Sequence, residues 1–234
     1  VPVYSTNAVP EFTVLLMLSL VRKWKPMEKK LSHQDFTLQG VQGKELGSMT
    51  LGLFGTGKLG IKTAEILHAM GCIILACSPH EKEEAKPYVT YTTQDEVFRK
   101  ADLLFFHCVL NDATRQMVNR ESIAKMKDGV YLVNTARGGL VDFEAVLDGL
   151  KSGKIAGFAS DVYDKEAQFI RKDLTGEKLE DPVLAELLSR EDVILTPHVA
   201  FFTETSVSNL IRLSLESLIE FETTGTCERE VYRT

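Results

Sequence analysis

The chain has 234 residues, of which 44% are hydrophobic and 26% charged, and 33 acidic side chains against 27 basic ones leave a net charge of −6. It is too apolar for a disordered chain and long enough to bury a core without disulfide or metal staples. An acidic chain with no basic stripe argues against a nucleic-acid partner, and its longest apolar run, 14–21, falls far short of the roughly 20 residues that cross a membrane; a cytoplasmic protein is expected.

In chain order, residues 10–24 read as a helix apolar nearly all round, with Val14, Leu15, Leu16, Met17, Leu18, Leu20 and Val21. A helix without a polar face is buried on several sides, and a surface shared with a second subunit is the expected site of burial. Arg22 to Lys30 reads as a solvated, charged helix end. From Leu51 onward short apolar runs alternate with helical patterns. The runs are 51–54, 72–76, 103–106, 130–133, 155–159 and 193–195. Continuous apolar runs of this length are strands buried on both faces, and their alternation with helices predicts a doubly wound, parallel α/β sheet of Rossmann type. Helix ends are marked as well: Asp142 caps a helix that stops at Gly153, Asp181-Pro182 opens another, and Thr203 begins a long one ending near Gly225.

The four cysteines, Cys72, Cys77, Cys108 and Cys227, form no C-x-x-C pair, and no histidine stands at zinc spacing from them. They are expected to be reduced thiols, with no metal site.

The first chemical signal is Gly55-Thr-Gly57-Lys58-Leu59-Gly60, which follows an expected strand and opens an expected helix. In that context G-x-G-x-x-G is a dinucleotide-binding turn: Gly55 permits the tight bend, Gly57 lets a pyrophosphate approach the backbone, and Gly60 allows close helix–sheet packing. The helix N-terminus at Lys58 and Leu59 offers free N–H groups to the phosphates. The acid that usually binds the adenosine ribose at the end of the second strand is replaced by Ser78. Serine bonds a 2′-hydroxyl without repelling a 2′-phosphate, and His80 and Lys82 follow it. NAD is the expected cofactor, with NADP as the alternative.

Three later strand ends carry polar residues. Asn134-Thr-Ala-Arg137-Gly-Gly places an arginine where it can pair with a carboxylate. Asp161 follows the next strand with Glu166 shortly beyond, and Asp161 is a candidate acceptor for a carboxamide. His198 follows Thr196-Pro197 and is a candidate acid/base with Glu166 as partner. His107 lies inside an apolar run and reads as structural; His33 and His68 read as surface residues. A hydride donor, a cation for a carboxylate and a proton donor together suit the reduction of a 2-keto acid.

With these motifs in hand (GTGKLG, NTARGGLVD, SGKIAGFASDVYDKE and TPHVAFFT, in that order), the chain resembles the D-isomer-specific 2-hydroxyacid dehydrogenases over nearly its whole length. The resemblance implies Arg137, Glu166 and His198 as the catalytic set and Asp161 as the carboxamide contact. It further implies Lys58 and Leu59 at the pyrophosphate and Ser78 at the ribose. Cys108, Val109 and Thr114 would follow along the groove, with Thr135 and Ala136 near the nicotinamide. The aromatic pair Phe201-Phe202 resembles the D-lactate dehydrogenase branch and would shape an apolar pocket for pyruvate or another small 2-keto acid.

It also implies a homodimer built on the helix near 10–24. Residues 1–10 would be a crossover from a flavodoxin-like substrate domain, 11–200 the dinucleotide-binding domain, and 201–234 a return helix and strand. Much of that substrate domain has no counterpart here, so a fragment that binds cofactor without turnover is one alternative. A dinucleotide-sensing protein like the corepressors of this fold is another.

Overall fold

The computed structural model describes residues 4–228. Seven strands, β1 (Thr50–Phe54), β2 (Ile73–Cys77), β3 (Thr90–Tyr91), β4 (Leu103–Phe106), β5 (Val130–Asn134), β6 (Ile155–Ser160) and β7 (Val193–Leu195), form one sheet. Every pairing is parallel and the order is β3-β2-β1-β4-β5-β6-β7. The helices are α1 (Ala8–Val21), α2 (Trp24–Ser32), α3 (Lys58–Ala69), α4 (Gln94–Lys100), α5 (Arg120–Lys125), α6 (Phe143–Ser152), α7 (Pro182–Ser189) and α8 (Glu204–Thr224). This is the expected Rossmann-type α/β fold.

The sheet is buried on both sides because successive side chains of a strand point to opposite faces. In β4, Leu104 and Phe106 join the core under α4, α5, α6 and α7, with Phe54, Phe98 and Phe158. Leu103 and Phe105 join the opposite core under α1 and α3, with Met17, Leu53 and Leu67. All four β4 side chains are fully buried. A strand read as a short continuous apolar run is therefore what this layered packing requires. Only β3 escaped the pattern: it is a two-residue edge strand with no apolar run of its own.

The helix ends follow their sequence signals. Asp142 accepts from the Ala145 N–H at the start of α6, and Gly153 ends that helix at φ +78°. Asp181 accepts from the Val183 and Leu184 N–H groups with Pro182 at the first helical position of α7. Thr203 caps α8, and Gly225 closes it at φ +75°. The strand expected after Gly225 falls mainly on residues 229–234, outside the described residues.

The first helix differs from its expectation in two ways. It ends at Val21, and the chain turns at Lys23 (φ +54°) into α2. Pro26 explains the break: inside a continuous helix its ring would strike the Arg22 carbonyl and leave it without a donor, whereas in the first turn of α2 it costs nothing. Second, much of the apolar surface of α1 is absorbed within the chain. Val14, Leu16, Met17, Leu20 and Val21 are buried in the core shared with α3 and β5. Leu15 and Trp24 stay more than half exposed. The charged stretch 22–30 is not simply solvated either. Lys25 Nζ donates to the carbonyls of Leu188, Arg190 and Val193, which ties α2 to the end of α7, and Lys29 pairs with Glu191. Among the described residues no helix is long and apolar enough to cross a membrane.

Candidate active site

The strand order reverses between β1 and β4, and in parallel sheets of this kind ligands bind beyond the carboxyl ends of the strands at that point. The glycine turn lies there. Gly55 sits at φ +96°, and a Cβ on it would lie 2.7 Å from the Cys108 nitrogen. A Cβ on Gly60 would lie 2.1 Å from the Gly55 carbonyl oxygen, so the start of α3 presses directly on the turn. The space beside Gly57 is open to 4 Å, which leaves the first N–H groups of α3 accessible to an anion. Thr56 beside them is buried and accepts a hydrogen bond from the Tyr91 hydroxyl at 2.8 Å. That hydroxyl in turn accepts from the Lys82 N–H, which fixes the segment carrying Ser78 and His80.

A cavity of about 700 Å³ runs from this turn along the carboxyl ends of β4, β5 and β6. Lys58, Leu59, Cys108 and Val109 line the end nearest the glycine turn. Thr135, Ala136, Arg137 and Asp161 line the middle, and His198 and Phe201 the far end. Ser78 lies half-buried just past β2 and does not line this cavity. Thr114 does not line it either; its hydroxyl is turned into its own loop, donating to the Val109 carbonyl at 2.6 Å. Phe202 departs from expectation. Its N–H closes a tight turn onto the Val199 carbonyl, and its ring is 68% exposed rather than facing the cavity.

Arg137 is positioned by a buried asparagine. The Asn134 side chain accepts from the Ala136 N–H and donates to the Arg137 carbonyl, which folds the segment after β5 into a fixed turn. Gly138 then packs flat against the next loop: a Cβ there would lie 2.2 Å from the Tyr163 carbonyl carbon. The guanidinium donates one bond to the Ala136 carbonyl and has no carboxylate partner among the described residues. An arginine placed to pair with an acidic neighbour would show one; this one faces the cavity with donors to spare.

The histidine is held from two sides. Its Nδ1 lies 2.9 Å from Glu166 Oε1, while the other oxygen of Glu166 accepts from the Tyr163 N–H. Its backbone is left-handed at φ +56°, an uncommon conformation for a non-glycine residue and one that its hydrogen-bonded surroundings hold. Asp161 supplies that constraint. This fully buried carboxylate accepts from the Thr196 hydroxyl at 2.6 Å, the Val199 N–H at 2.9 Å and the Ala200 N–H at 2.8 Å. Its bonds clamp both sides of His198. A carboxylate has about four lone-pair sites, so one remains for a ligand.

Several residues that line the cavity were not singled out from the sequence as site residues, His107 and Tyr4 among them. His107 lines the cavity, with Nε2 2.9 Å from the Thr63 hydroxyl. Tyr4 also lines it, its ring edge-on to Phe201 at 6.0 Å. Cys108 faces the groove with its thiol against the Met117 sulfur, and burial pushes its pKa up to about 11, so it is a neutral wall of the pocket. Among the described residues no group of His, Cys, Asp and Glu is placed to hold a metal ion.

Comparison with known proteins agrees with this geometry. Residues 14–200 match the family model of the D-isomer specific 2-hydroxyacid dehydrogenase NAD binding domain. An aromatic 2-oxoacid reductase of Clostridium sporogenes is 44% identical over 98% of this chain and 70% of its own length. The crystal structure of a D-lactate dehydrogenase from Treponema pallidum superposes with a TM-score of 0.94 at 36% identity, covering 100% of this chain and 71% of that one. A Lactobacillus jensenii D-lactate dehydrogenase crystallised with NAD+ gives a TM-score of 0.90 at 33% identity, with 100% and 71% covered. The chain belongs to the D-isomer-specific 2-hydroxyacid dehydrogenase family and carries its NAD-binding domain.

Proposed function

We propose that the protein reduces a small 2-keto acid to the D-2-hydroxy acid with NADH, and that pyruvate and D-lactate are the pair. The observation that supports this best is one cavity carrying both an arginine without a carboxylate partner and a histidine backed by a carboxylate. Bound nicotinamide supplies the hydride. Arg137 holds the substrate carboxylate through its fork of N–H donors. With Nδ1 engaged by Glu166, the His198 ring has Nε2 left for the keto oxygen and delivers the proton there as the carbonyl carbon accepts hydride. Glu166 holds the ring in place through Nδ1 during transfer, and solvent returns the proton afterwards. In the opposite direction the same nitrogen takes the hydroxyl proton. Lys58, Leu59 and the glycine turn hold the pyrophosphate in this reading. Cys108 and Val109 flank the groove, Thr114 braces the Val109 carbonyl behind it, and Ala136 backs the nicotinamide. Ser78 binds the ribose. NAD is the cofactor, and the absence of an acid at 78 admits NADP as a weaker substitute.

The test is oxidation of NADH and NADPH by pyruvate, with Arg137→Ala and His198→Gln beside the unaltered protein. Removing the proton donor should cost about 10²- to 10⁴-fold in kcat. Removing the arginine should lower kcat/KM by a comparable factor. Absence of turnover with every small 2-keto acid would reject the reading. A second substrate class follows from the edge-on packing of Tyr4 on Phe201 and from the likeness to an aromatic 2-oxoacid reductase. A third aromatic ring can pack against such a pair, so phenylpyruvate belongs in the same assay. A higher kcat/KM for it than for pyruvate would assign the protein to that class. We further infer a homodimer, supported by the exposed Leu15 of α1 and Trp24 of α2, and place it in the cytoplasm.

A further inference from the structure

Thr13 is a hydroxyl inside an otherwise apolar helix. It is fully buried, and it touches the cavity wall: its Oγ1 lies 2.7 Å from Oγ1 of Thr135. The same Oγ1 lies 2.8 Å from the Val9 carbonyl oxygen. A carbonyl oxygen can only accept, and a hydroxyl has one proton. The Thr13 proton is therefore committed to Val9, and Thr135 must donate to Thr13. The proton of Thr135 is spent in turn, so that its oxygen is left with lone pairs alone. Thr135 is 8% exposed and lines the cavity next to Ala136, Arg137 and Asp161.

We propose that Thr13 is a positioning residue that makes Thr135 an acceptor-only hydroxyl, and that Thr135 thereby selects and orients the carboxamide N–H₂ of the nicotinamide. This rests on the assignment of the cavity to NAD and deepens it. The carboxamide brings two N–H protons. Two acceptors in the groove suit them: the Thr135 oxygen and the one lone-pair site that Thr196, Val199 and Ala200 leave free on Asp161. Without Thr13 the Thr135 proton has no committed partner and turns toward the groove, where it opposes the amide hydrogens. The two sites draw on distant parts of the chain, since Thr13 sits on α1 and Asp161 anchors the turn that bears His198.

The experiment compares, by titration calorimetry, NADH with the reduced 3-acetylpyridine analogue, in which a methyl ketone replaces the amide and removes both N–H donors. Thr13→Val keeps the volume and removes the hydroxyl; Thr13→Ser restores it. One hydrogen bond is worth about five- to tenfold in affinity. The proposal expects Thr13→Val and Thr135→Val each to weaken NADH by that factor, to leave the analogue within about twofold, and to weaken NADH no further when combined. Thr13→Ser should bind as the unaltered protein does. Equal weakening of both dinucleotides, or no weakening, overturns the proposal. Should Thr13→Val fail to fold, Thr135→Val decides alone, by whether it erases the preference for the amide. An unaltered protein that binds neither dinucleotide overturns the cofactor reading itself.

Discussion

The Thr63 hydroxyl donates to the Leu59 carbonyl, so at 2.9 Å from His107 Nε2 it can only accept, and the ring must carry its proton on that nitrogen. The ring is neutral, and burial pushes its pKa down to about 4. An unfolded histidine titrates near 6.5, so between pH 6.5 and 4 the unfolded chain gains a proton that the folded one refuses. The stability held above pH 6.5 is lost as pH falls toward 4. Urea unfolding across that range should show a shallower decline for His107→Gln than for the unaltered protein, and identical slopes would refute the assignment. Asp161 makes a second test. Asn in its place keeps the size but brings an NH₂ group toward the donors from Thr196, Val199 and Ala200. Asp161→Asn should cost about 3 kcal/mol in urea unfolding; a loss below about 1 kcal/mol would mean that the clamp on His198 is slack.

The sequence shows at this scale what interrupts a pattern. Arg137, Asp161 and His198 stand out because each is polar at the end of an apolar run. Thr13 does not, because a threonine within a helix looks the same whether its hydroxyl is idle or bonded to a residue 122 positions away. The donors to Asp161 are hidden for the same reason: they come from a loop 35 to 39 positions downstream.

Among the elements, α6 and α8 were legible at both ends and α7 at its start, because capping is a local property of a few adjacent residues. Asp142→Ala removes the acceptor for the Ala145 N–H and should lower stability by about 1 kcal/mol in thermal or urea unfolding. The edge strand β3 was not legible, since two residues carry no periodicity. The break between α1 and α2 was missed because the charged residues after Val21 read as the solvated end of the same helix, although Pro26 carried the signal. The contact at Gly138 lies between elements and has no local signature beyond the glycine. With only 2.2 Å to the Tyr163 carbonyl carbon, Gly138→Ala must push apart the turns that carry Arg137 and Glu166. A displacement of about 1 Å should cost about a hundredfold in kcat/KM, and unchanged kinetics would show that the two turns move independently.

At the scale of the whole molecule, the alternation of strands and helices was enough to give a parallel sheet, and the glycine turn placed its switch point at the end of β1. The surfaces that remain apolar were not legible, because composition does not say which side of a helix is covered. Two groups emerge. Leu15, Trp24, Phe36 and Leu38 are exposed around α1 and α2, and Ile211, Leu215, Leu218 and Ile219 form a stripe on α8. Exposed apolar groups of this kind mark interaction surfaces. Sedimentation at micromolar concentration should show a dimer, and Trp24→Glu should shift it toward monomer; a unaltered protein that sediments as a monomer would remove the homodimer from the account.

The central claim is that one groove aligns a nicotinamide, Arg137 and His198 for hydride transfer to a 2-keto acid. It is tested most directly by turning over pyruvate with NADH deuterated at both C4 positions and analysing the product by NMR and chiral chromatography. The expected product is D-lactate with one deuterium on C2, formed by the unaltered protein and nearly abolished in His198→Gln. Lactate without deuterium at C2, or of the L configuration, would contradict it.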